Sequence, residues 1–147
     1  SGAGVRVVSE LPDGYELHDG ADARAAHAFL TQSYWSPGIP VETVEKALAN
    51  SLCVSVLHRG EQIGMARVIT DRATFAYLAD VYVLDGHGGK GLAKAMVGHL
   101  QGYAELQGLR RWMLATRDAH GLYEGLGWQP LPDPSIFMQR HFPDIYA

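Results

Sequence analysis

Tyr77-Leu78-Ala79-Asp80-Val81-Tyr82-Val83-Leu84-Asp85-Gly86-His87-Gly88-Gly89-Lys90-Gly91-Leu92-Ala93-Lys94-Ala95-Met96 reads as an apolar strand that enters a glycine-dense loop, and the loop opens an amphipathic helix. Glycine admits positive φ and lets a ligand approach the backbone closely. A helix start carries unpaired N–H groups and the positive end of a dipole. Together they make a site for phosphate.

Outward from this stretch, hydrophobic periodicity divides the rest of the chain. Residues 15–18 read as a short strand, and residues 19–33 as a helix that Asp19 or Asp22 can cap, with Ala25, Ala26, Phe29 and Leu30 inward. Residues 34–40 form a turn-rich aromatic loop, followed by a helix over 41–50. Strands over 52–58, 62–70 and 75–84 are joined by short turns and read as an antiparallel meander. The helix after the glycine loop is expected over 89–107, burying Leu92, Met96, Leu100, Tyr103 and Leu106. A strand over 111–116 follows one helical crossover later and should be the parallel neighbour of the long strand. A short helix over 118–126, which Asp118 can cap, and a last strand over 137–142 complete the order. The expected fold class is α/β of the α+β type. Its mixed, mostly antiparallel central sheet has about six to seven strands, with helices on both faces.

At 147 residues the chain is expected to be one domain, 1–147, with residues 1–12 as a loose arm. The net charge of −4 argues against a nucleic-acid partner, which calls for a basic face. No apolar run has the length of a membrane span. The lone Cys53 lies in an apolar run and reads as a small buried hydrophobe in a reducing, cytoplasmic setting. The seven histidines show no metal spacing, so no metal is expected.

Two phosphate motifs fit the loop poorly. A Walker loop needs Gly-Lys-Ser/Thr, but Gly89-Lys90 is followed by Gly91. Residues 86–91 match G-x-G-x-x-G, yet the next strand ends Ala115-Thr116 rather than in the acidic residue a ribose would need. The third reading rests on two blocks. Gly88-Gly89-Lys90-Gly91-Leu92-Ala93 resembles the Arg/Gln-x-x-Gly-x-Gly/Ala signature of the GNAT superfamily of acetyltransferases, with Gly91 and Ala93 matching and Gly88 standing for the usual Arg or Gln. Residues 114–128 resemble the family's Asn-x-x-Ala-x-x-Leu-Tyr-Glu-Lys-x-Gly-Phe segment, with Thr116 for Asn and Trp128 for Phe. The resemblance spans roughly residues 13 to 142.

The resemblance implies acetyl transfer from acetyl-CoA to an amine of a small molecule or a peptide. The coenzyme A pyrophosphate would rest on the loop and helix start, from Gly88 and Gly89 through Lys90, Gly91, Leu92 and Ala93. The pantetheine arm would pair with the backbone at Val81, Tyr82 and Val83. Tyr123 holds the family's tyrosine position and would donate a proton to the leaving thiolate. Asp80, mid-strand among apolar residues, is either the base that deprotonates the amine or one half of an ion pair with Arg67. A turn centred between Ala73 and Thr74 would set the two opposite each other. Arg67 is otherwise an anchor for a carboxylate on the acceptor. Tyr34 and Trp35 either contact the acceptor or pack in the core, and His120 is an alternative base or a surface residue. A homodimer stays open, and a non-catalytic acyl-CoA sensing module is the rival reading.

Overall fold

The computed structural model describes residues 11–147, so most of the expected arm lies outside the described residues. Five strands form one sheet: β1 (Tyr15–Asp19), β2 (Leu52–His58), β3 (Glu61–Thr70), β4 (Phe75–Val83) and β5 (Arg111–Met113), in that spatial order. The first four run antiparallel, and β5 is parallel to β4. Helices α1 (Ala23–Leu30), α2 (Val41–Ala49), α3 (Leu92–Gln101) and α4 (His120–Glu124) complete the element set, with short 3-10 turns at Ala104–Leu106 and Pro134–Ile136.

Alternation along the strands builds two cores, because successive side chains leave opposite faces. Val54, Val56, Ala66, Val68 and Leu78 face α3, which buries Leu92, Met96, Val97 and Leu100 against them. Cys53, Met65 and Tyr82 face the other way, onto Ala26 and Leu30 of α1 and Val44 of α2. Asp22 caps α1, its carboxylate accepting the Ala25 N–H at 2.8 Å. Burial pushes the Cys53 thiol up to about 11, with a smaller rise from Asp80 working against the lowering effect of Arg67. It is therefore a protonated, inert core side chain, as its setting in the sequence implied.

Several expectations need correction. Among the described residues the sheet has five strands rather than six or seven, because residues 137–142 run without pairing. Pro130, Pro132, Pro134 and Pro143 crowd this region, and proline cannot donate to a ladder. Helix α3 ends at Gln101, six residues early. Gly102 closes it and Tyr103 turns extended, so its hydroxyl reaches Asp19 Oδ1 at 2.5 Å while Leu106 is buried from a separate turn. That contact and His99, 2.8 Å from the same oxygen, hold the Asp19 carboxylate below its usual range. Strand β5 stops at Met113 rather than Thr116. Asp118 caps nothing; Thr116 Oγ1 instead accepts the Ala119 N–H at 3.1 Å ahead of α4.

Gly64 shows how closely β3, β4 and α3 meet. A Cβ there would lie 2.7 Å from the Tyr82 carbonyl oxygen, 3.0 Å from Val56 Cγ1 and 3.4 Å from Met96 Cε. Overpacking of this kind costs about 1–3 kcal/mol. Gly64→Ala is expected to lower the unfolding free energy by that amount in urea titration; a variant as stable as the parent would show that β4 yields freely at this point.

Candidate active site

The register of β3 on β4 slips by one residue. Gly64 and Met65 pair with Val83 and Tyr82, whereas Arg67 to Thr70 pair with Ala79 to Ala76. Asp80 and Val81 therefore both face Ala66, which is a β-bulge. The hairpin is centred on Ala73, not between Ala73 and Thr74, so Arg67 lies opposite Ala79 and not opposite Asp80. Asp80 takes φ +54°, the left-handed region, which Asp enters more readily than most residues. The bulge swings its carboxylate onto both neighbours. Arg67 Nε donates to Oδ2 at 2.8 Å and Trp35 Nε1 donates to Oδ1 at 2.8 Å. Arg67 Nη1 also donates to Ser51 Oγ at 3.1 Å. Side-chain exposures of 14% for Arg67 and 11% for Asp80 make this a largely desolvated pair. Of the two sequence readings of Asp80, the geometry is that of the ion pair, and the Arg67 guanidinium is already engaged.

Ahead of the bulge, past Tyr77, β4 loses its parallel neighbour. Only Phe75, Ala76 and Tyr77 pair with β5, to Arg111, Trp112 and Met113. From Leu78 to Val83 that edge is open. The Leu84 N–H donates to Ile63 O at 2.8 Å, so the antiparallel alternation turns the main-chain groups of Tyr82 toward β3 and those of Val81 and Val83 toward the open side. Of the three backbone positions expected to meet a pantetheine arm, these two are free to do so. The Tyr82 side chain is buried on the far face, stacked on Phe29 with ring centroids 4.0 Å apart.

The strand leads straight into the glycine loop. Gly86, Gly89 and Gly91 have φ of +91°, +74° and +75°, and a Cβ on any of them would meet nothing within 4 Å. Gly88 is open in the same way. Gly91 is the N-cap of α3 and the first intrahelical bond is Ala95 N–H to Gly91 O at 3.0 Å. The N–H groups of Leu92, Ala93 and Lys94 thus have no acceptor within the helix, no side chain caps them, and no acidic residue lies in the first turn. Lys90 and Lys94 are exposed beside them. Tyr15 Oη and His87 Nδ1, 2.6 Å apart, tie the loop back to β1.

The splay opens a cleft of about 770 Å³. The bulged stretch of β4 forms its floor, Leu114–Ala119 one wall, and the Tyr34–Ile39 loop and the end of the chain the rest. Tyr34 and Trp35, 56% and 38% exposed, line it rather than the core. Tyr123 is buried at 8% exposure and also lines the cleft, and its hydroxyl has no hydrogen-bond partner among the described residues. Burial, then the nearby Tyr34, raises its pKa above the ordinary phenol value. His120 is exposed and faces a smaller cavity of about 410 Å³ together with Trp112 and Trp128, apart from Asp80.

Two parts of the cleft escaped the sequence reading. Arg117 lies over the Tyr34 ring with its guanidinium carbon 4.1 Å from the centroid. It stands inside the second motif block, one residue after Thr116, which was its only signal. The final residues close the cleft through Phe142, Ile145 and Tyr146, and a Cβ on Gly38 would come within 3.0 Å of the Tyr146 carbonyl oxygen. The expected strand stopped at Phe142, and the residues after it gave no motif.

Comparison with known proteins agrees with this architecture. The model of the Acetyltransferase (GNAT) family matches residues 16–128. A crystal structure assigned to the GNAT acetyltransferases, from Xanthomonas campestris pv. campestris, is 40% identical, with a TM-score of 0.85 over 93% of this chain and 99% of its own. A Gibberella zeae protein named as an acetyltransferase is 33% identical; the alignment covers 61% of this chain and 62% of the fungal protein. A Clostridium acetobutylicum acetyltransferase structure with acetyl-CoA shares the fold, at 14% identity and a TM-score of 0.64 over 86% of this chain and 96% of that one.

The bulge geometry makes a thermodynamic prediction. Asn tolerates the left-handed region as Asp does, so Asp80→Asn keeps the backbone and removes only the charge. In a double-mutant cycle with Arg67→Met, unfolding free energies should give a coupling of about 1–3 kcal/mol. Additive effects would mean that the pair contributes nothing to holding the bulge.

Proposed function

Because the chain belongs to the GNAT acetyltransferase family, we propose that it transfers an acetyl group from acetyl-CoA to a primary amine of a small molecule or a peptide. Family membership supports acyltransferase activity. The observation that carries the finer reading is that free main-chain donors at the start of α3 and an open edge of β4 occur together with an unpartnered phenol in the cleft beside that edge. The free N–H groups of the first turn of α3 suit a diphosphate, through partial charge and hydrogen bonds that the net charge of −4 does not supply. Main-chain groups of Val83 and Val81 suit the amides of a pantetheine arm laid along β4 as an added strand. An N–H of the bulged segment suits the thioester oxygen as charge builds on it. The Clostridium structure with acetyl-CoA supports the choice of cosubstrate by its fold.

In this reading the acceptor amine attacks the thioester carbon, a C–N bond forms, and the C–S bond breaks as the carbonyl is restored. The leaving sulfur takes up a proton from Tyr123, the nitrogen loses one to water, and the Tyr123 phenolate regains a proton from solvent. A free phenol has a pKa near 10 and a thiol near 8.5. Burial raises the phenol further, so Tyr123 holds its proton throughout the neutral range. The larger gap makes complete transfer less favourable, but the hydrogen bond to the developing thiolate still stabilises it. Asp80, with both oxygens engaged, acts as a positioning residue that keeps the bulge open.

Tyr123→Phe tests the assignment. Acetyl-CoA turnover with an amine panel should fall on the order of a hundredfold in kcat, within the range for a general acid, while the affinity for coenzyme A by calorimetry stays the same. Because its pKa is raised, deprotonation of Tyr123 should cost activity only above pH 10, and the variant should lack that alkaline limb. Equal turnover by both proteins across this range would remove Tyr123 from the chemistry. Coenzyme A binding without transfer to any amine would favour the sensing module.

A further inference from the structure

The charges in the cleft sort into a satisfied pair and an unsatisfied one. Arg67 and Asp80 neutralise each other at 2.8 Å, Trp35 donates to the second carboxylate oxygen, and Arg67 Nη1 donates to Ser51 Oγ. The Arg67 charge is therefore already matched within the protein, by Asp80. Arg117 and Asp118 line the same cleft, and neither has an ion-pair or hydrogen-bond partner among the described residues. Although they are consecutive, they do not pair with each other.

Arg117 is held against an aromatic ring. Its guanidinium carbon lies 4.1 Å from the Tyr34 ring centroid, a cation–π contact that leaves its N–H donors without a partner among the described residues. A planar fork of this kind matches a carboxylate in bidentate geometry. The position also shares the cleft with the phenol assigned to acyl transfer. Tyr34, Arg117 and Tyr123 all line it. The walls between are aromatic, from Tyr34, Trp35 and Tyr77 to Tyr146.

We infer that the acceptor is a zwitterion of the amino-acid type, whose carboxylate is held by Arg117 and whose ammonium is drawn in past Asp118. This deepens the acetyl-transfer reading and rests on it. One unpaired cation and one unpaired anion match an acceptor with one charge of each sign. A phosphorylated amine would bring about two negative charges to a single guanidinium, and a polyamine would bring none.

The test compares acceptors that differ only in the carboxylate: phenylalanine with its methyl ester and with phenethylamine, and leucine with its methyl ester and with isoamylamine. For the parent protein kcat/KM should be about tenfold or more higher for the acids, the discrimination that a charge-assisted hydrogen bond supplies. Arg117→Ala should raise KM for the acids and bring the acid-to-ester ratio to about one, and Arg117→Lys should restore only part of it. Thermal unfolding and coenzyme A calorimetry on the same preparations show that each variant is folded and loaded. Equal or better use of the esters or amines by the parent protein overturns the inference, and so does an equal loss for acids and esters in Arg117→Ala. Coenzyme A binding with no turnover of any acid overturns it too, while leaving the cosubstrate assignment in place. Absence of coenzyme A binding would overturn both.

Discussion

One additional residue in β4 shapes this molecule. Asp80 enters the left-handed region, and the strand gains a step that β3 does not have. A non-glycine residue at positive φ costs about 1–2 kcal/mol, so it persists only where its surroundings hold it. Arg67 and Trp35 do so, each at 2.8 Å from a different oxygen of the carboxylate. The splay from β5 lies on the other edge of the same strand. Past Tyr77 the edge of β4 faces an opening instead of β5, and the main-chain groups of Val81 and Val83 are left available. A sheet continued in regular register would have paired those groups and filled the space with side chains.

The glycine loop and α3 add further free donors. The strand delivers the chain to the loop, three glycines turn it through positive φ, and the first turn of α3 then leaves its N–H groups without acceptors in the helix. Helix α3 is held in place by Leu92, Met96, Val97 and Leu100, all buried against the sheet. The uncapped first turn of α3 is therefore mounted on the core rather than on a loop alone. Gly64 allows this mounting, since any larger residue would press on the Tyr82 carbonyl.

Much of the fold was legible because the signals were local. The meander from residue 52 to 83, the cap at Asp22 and the glycine loop all follow from periodicity and turn chemistry within a few residues. The two motif blocks carried the family, since each matched over a short run. The misplaced features depend on tertiary context. Helix α3 has an apolar pattern that continues to Leu106, but Gly102 ended it and Asp19, distant in sequence, recruited Tyr103 instead. The bulge changed the hairpin register by one, which no alternation pattern in β4 could reveal. The C-terminal wall of the cleft has no periodicity, and Arg117 finds its role only through the Tyr34 ring, which arrives from a different loop.

The central claim is that unpaired main-chain N–H groups, set by the bulge and by the start of α3, hold coenzyme A. Amide chemical shifts of the 15N-labelled protein during titration with coenzyme A test it directly. The account predicts that the largest changes fall on Leu92, Ala93 and Lys94, with a second group at Val81 and Val83. Changes centred instead on residues around Asp19 and His99, or shifts absent from both segments at saturation, would contradict it.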